Sequence, residues 1–201
     1  MSATPAVAEV GRVLYASTTE YAFGCRAARA REVAPAFGAL VRAESARADV
    51  YGLVFDVRVN DDPLVRQLAV APGLESEYVE DQRHNRHVPV EITTLAVGFR
   101  LPGEALQQRL PPHPPLSLDR VLTCDDAELR AFSERQDYLH LVLAARQVPA
   151  EELLAAHLRL AAAARPASER HAFLVRAGKE LARLMTGDLL RLDALLRRLR
   201  D

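Results

Sequence analysis

The chain has 201 residues, of which 49% are hydrophobic and 26% charged, and its 26 Lys and Arg stand against 27 Asp and Glu for a formal net charge of −1. A globular chain of this length buries a substantial core without disulfides and holds one or two domains. The near-neutral charge excludes a global field that would draw it to nucleic acid or a membrane surface, so any such contact must come from a local patch.

From Val10 to Arg100 the chain is rich in Val, Tyr, Phe and Thr, with Gly and Pro at intervals, which is strand-and-turn composition. Six segments read as strands: 9–17, 20–29, 37–43, 49–59, 64–70 and 88–101. The fourth has apolar residues on both parities, Val50 and Val54 on one and Tyr51, Leu53, Phe55 and Val57 on the other, and is expected to be covered on both faces. Ser17-Thr18-Thr19, Pro35 and Asn60-Asp61-Asp62-Pro63 supply turns. The polar run 75–86 is expected as a short helix before the last strand. Short strands with few helices between them point to a barrel or a sandwich.

Pro102-Gly103 and then Pro111-Pro112-His113-Pro114-Pro115 neither pair as strand nor continue a helix. They read as a stiff linker over 102–118. The proline run lacks the basic flanks of an SH3-type ligand. The expected division is a free N-terminus over 1–8, a β-domain over 9–101, the linker, and a helical domain over 119–201.

Beyond the linker the pattern turns helical. Asp125 with Glu128 three residues on makes an N-cap signal. Pro149 suits a first helical turn, with Glu151 and Glu152 near the positive end. Leu153, Leu154, His157, Leu158 and Ala161 follow on that helix. Ser168 is expected to cap the next helix, and Asp188 to cap a last one over 189–200. Four or five helices are expected, giving a β-then-α, α+β chain.

Candidate chemistry is sparse. Cys25 and Cys124 belong to no Cys-x-x-Cys pair and are expected as free, buried thiols. His84 and His87 lack a convergent third ligand and sit among Arg83 and Arg86. Asp56, Asp61 and Asp62 lack calcium-loop spacing. Tyr138 and His140 have apolar neighbours and are expected at the core or its boundary rather than as an acid–base pair. Gly178-Lys179 is no phosphate loop: Phe173 stands where its first glycine belongs and Glu180 where its hydroxyl belongs. No catalytic residue, cofactor site or metal site is expected. Residues 1–10 carry no signal-peptide pattern, and no run approaches a span of ~20 apolar residues; the expected location is cytoplasmic.

Four motifs in order carry a resemblance. They are Gly11-Arg12-Val13-Leu14-Tyr15-Ala16-Ser17-Thr18-Thr19, Phe37-Gly38-Ala39-Leu40-Val41, Tyr51-Gly52-Leu53-Val54-Phe55-Asp56-Val57 and Leu95-Ala96-Val97-Gly98-Phe99. Together they resemble the HerA–ATP synthase (HAS) barrel family over roughly residues 9–101. The resemblance implies a six-stranded closed barrel that holds rings together or contacts partner proteins and does no chemistry. In the HerA-type proteins of that family it also helps dock the NurA nuclease. Those proteins continue into a P-loop ATPase; this chain continues into helices instead.

The expected function is therefore a non-catalytic assembly or protein-interaction module, associated with a HerA–NurA-like DNA repair or translocation system, with the barrel packing edge to edge or docking a partner. Its expected interface is the terminal stripe Leu189, Leu192, Leu196 and Leu199, spaced by threes and fours like a pairing helix. The alternative is a nucleic-acid-binding accessory protein with an arginine patch of Arg83, Arg86, Arg197, Arg198 and Arg200.

Overall fold

The structure, a computed structural model, describes residues 7–26, 34–59 and 89–199. Its β-rich part comprises β1 (Glu9–Ala16), β2 (Glu20–Arg26), β3 (Leu40–Glu44), β4 (Asp49–Val59), β5 (Pro89–Arg100) and β6 (Arg120–Thr123). Each strand pairs antiparallel with two neighbours, in the closed order β1-β2-β5-β4-β3-β6. Each described strand has a neighbour on both sides, which leaves little free edge among the described residues for strand addition.

The two parities of β4 explain its unbroken apolar run. Val50 and Val54 point into the barrel with Val13, Tyr21, Phe23, Val41, Ile92 and Val121. Tyr51 and Leu53 face outward with Leu40, Leu95 and Val97 into a second core built mainly by helices. The barrel interior is thus packed with side chains. Register shifts between Val54 and Asp56 on β4 and between Val13 and Tyr15 on β1 add the local bends that a six-stranded cylinder requires.

Two expectations change here. The third strand begins at Leu40 instead of residue 37, because Gly38 takes φ +84° in the turn that leads into it. The sixth described strand is Arg120–Thr123, which pairs with both β1 and β3. The expected segments at 64–70 and 75–86 lie outside the described residues.

The proline-rich stretch is consequently a covering of the barrel between β5 and β6. Phe99 and Gln107 exchange both backbone hydrogen bonds at 2.9 Å. Gln108 donates to the carbonyls of Phe132 and Arg135 and accepts from the Asp137 N–H. Pro111 and Pro115 are buried. A linker between two bodies would have none of these ties.

Five helices follow: α1 (Asp126–Ser133), α2 (Leu139–Ala144), α3 (Ala150–Ala163), α4 (Ala167–Leu184) and α5 (Leu189–Arg198). Asp125 caps α1 by accepting from the Glu128 N–H at 2.7 Å, and Asp188 caps α5 by accepting from the Arg191 N–H at 3.1 Å. Ser168 caps nothing: α4 starts one residue earlier, after Pro166. Phe132, Tyr138, Leu153, Leu154, Leu158, Phe173, Leu181 and Leu195 meet the outward barrel residues in one continuous core. Buried Arg165 pins the bundle together. It donates to the Ala161 carbonyl near the end of α3 and to the Arg130 carbonyl of α1, and lies 3.8 Å over the Phe173 ring of α4. Among the described residues no helix is long and apolar enough to cross a membrane.

Candidate interaction surface

Two polar networks lie where the barrel meets the helices, and both are paired within the chain. In the first, Arg42 of β3 bridges Asp49 at 3.1 Å and Glu128 of α1 at 3.0 Å, the latter as an ion pair without hydrogen-bond alignment at Nε. Arg100 donates to the same Asp49 at 2.7 Å, and the Tyr51 hydroxyl donates to Glu128 at 2.9 Å. Burial pulls the Arg42 pKa down, but Glu128 and Asp49 outweigh it and the net shift is upward. Burial and the nearby Glu128 push the Cys124 thiol well up, which keeps it protonated and unreactive. Burial, with Glu128 adding to it, likewise pushes the Tyr51 phenol upward.

The second network is a buried chain from Gly38 through His157 to Tyr138. The imidazole bonds to the Gly38 carbonyl at 3.0 Å and to the Tyr138 hydroxyl at 2.9 Å. Burial holds the His157 pKa down at about 4, so the ring is neutral near pH 7. Among the described residues no group of three or more His, Cys, Asp and Glu is placed to hold a metal ion.

The residues singled out in the sequence do not converge on one site. Leu192 and Leu199 are buried in the chain's own core and Leu196 packs against it, while Leu189 is exposed. The leucine stripe is therefore mostly spent on the chain itself, and its one exposed member stands apart from the other three. Arg197 pairs with Asp193 at 2.7 Å and Arg198 with Glu152 at 2.6 Å. Arg83, Arg86, Arg200, His84, His87, Asp61 and Asp62 lie outside the described residues. Asp56 pairs with Arg58 at 2.9 Å. Tyr138 is buried, whereas His140 is exposed and its Nδ1 meets the Asp137 carbonyl. Gly178-Lys179 sits inside α4.

What the sequence reading missed is an apolar patch on the barrel wall left uncovered by the helices. Leu14 is the extra residue at the β1 bulge, and its side chain lies across Gly24 of β2. The segment Leu116-Ser117-Leu118-Asp119 runs beside it as a tight turn. The Asp119 N–H donates to the Leu116 carbonyl at 3.1 Å, and the Asp119 carboxylate accepts from the Leu116 N–H at 2.8 Å. The Leu118 N–H donates to Val13, and the Ser117 hydroxyl donates to the Leu14 carbonyl. Leu14, Leu116 and Leu118 are 48%, 51% and 68% exposed.

Leu118 holds φ at 71°, the one non-glycine among the described residues with positive φ. This third position of a turn normally takes Gly or Asn, and for leucine the left-handed conformation costs about 1 kcal/mol or more. The charges around the patch are already engaged: Arg12 with Glu9 and the Leu118 carbonyl, and Arg120 with Glu44. The patch therefore offers apolar contact and little free charge. Its signal in the sequence was two leucines alternating with Ser and Asp directly after the prolines, where a solvated linker would be polar.

No family model matches the chain, and no curated protein matches it.

Proposed function

We propose that this chain is a non-catalytic interaction module whose barrel wall at Leu14, Leu116 and Leu118 docks an apolar segment of a partner protein. The observation that carries the reading is Leu118: a large apolar side chain held in solvent by a backbone conformation it disfavours. Strain without packing gain inside the chain points to a use outside it. The engaged state of Arg12 and Arg120 favours a protein over a nucleic acid as that partner. The resemblance of the strand motifs to HAS barrels supplies the setting we favour, an assembly of the HerA–NurA kind in DNA repair or translocation. The nucleic-acid alternative draws no support from Arg197 and Arg198, which are bound to Asp193 and Glu152.

The test is affinity isolation from the source cells with the wild type and with a Leu14→Asp/Leu118→Asp variant, both checked for folding by thermal melting. The expected result is a near-stoichiometric protein retained by the wild type after nuclease treatment and lost from the variant. Equal retention by both proteins, or retention abolished by nuclease, rejects the reading.

A further inference from the structure

We draw no further inference here: the strongest candidate, the exposed Leu189–Leu190 pair at the N-terminal end of α5 beside the hollow lined by Leu143, Leu184 and Met185, is an apolar surface patch for which nothing in the structure shows what covers it, since the charges on its rim are already engaged within the chain, Arg191 with both Asp188 and Glu151.

Discussion

His157 of α3 and Gly38 of the turn before β3 meet across the junction of barrel and helices. The Gly38 carbonyl only accepts, so the proton sits on the His157 Nδ1, 3.0 Å away, and Nε2 accepts from Tyr138. The approach is close enough that a Cβ on Gly38 would stand 2.7 Å from the Ala156 Cβ and 2.8 Å from the His157 backbone nitrogen. Gly38 also takes φ +84°, so two independent constraints demand glycine. The barrel backbone packs directly against the α3 backbone here, the His157 ring bonds a barrel carbonyl, and the two parts share one hydrophobic core around Tyr51, Leu53, Phe132 and Leu154.

Gly38→Val is therefore expected to destabilise the whole chain by about 3 kcal/mol or more through strain and steric overlap. The loss should appear in barrel and helices together. Near-ultraviolet and far-ultraviolet circular dichroism during urea unfolding check this: one coincident transition at lower urea is expected. Two separated transitions would show two independent domains.

His157 gives the protein an acid sensitivity with a defined window. Its pKa is about 4 in the folded state because of burial, against an ordinary value near 6.5. Between those values the unfolded chain binds more protons, so stability falls as pH drops from about 6.5 towards 4. Above pH 6.5 the slope from this group vanishes and its stability is fully retained. The full window is worth about 3 kcal/mol. His157→Gln is expected to be less stable at pH 7 and to lose this part of the acid slope. Urea melts of both proteins at pH 7 and pH 4.5 measure it, with carboxylate effects common to both.

Gln108 ties the covering segment to the turn between α1 and α2 through four hydrogen bonds: it donates to Phe132 and Arg135 and accepts from Asp137 and Tyr138. Gln108→Leu keeps much of the volume but strands these backbone groups. A loss of about 2 kcal/mol is expected. The faster hydrogen exchange should localise to the amides of Asp137 and Tyr138.

Leu118 should trade stability for contact. Asn tolerates the left-handed conformation that Leu118 occupies. Leu118→Asn is expected to stabilise the free protein by about 1 kcal/mol, raising Tm by roughly 3 °C, while it weakens partner retention. Scanning calorimetry and the isolation experiment must move in opposite directions; a variant less stable than wild type removes the strain argument.

Much of the architecture was legible because it is local. The apolar run of β4 on both parities announced a strand covered twice, and Asp125 and Asp188 marked the starts of α1 and α5 through bonds within three residues. What was not legible is long-range. β6 is only four residues, Arg120–Thr123, and gains its identity by pairing with β1 and β3, far away in sequence. The prolines before it look like a spacer until Pro111 and Pro115 are seen buried. Likewise the α5 leucines have the spacing of a pairing helix, and spacing does not distinguish a partner chain from the same chain's own α3 and α4. The wall patch escaped notice because Leu14 and Leu118 come together only when β6 closes the barrel beside β1.

The most direct measurement is site-specific photocrosslinking in living source cells, with the crosslinking residue placed at position 118 and, as control, at Val175 on the outer face of α4. Capture of one discrete protein from position 118, absent from position 175, is the expected result. No product at 118, or the same product from both positions, contradicts a partner docked on the barrel wall.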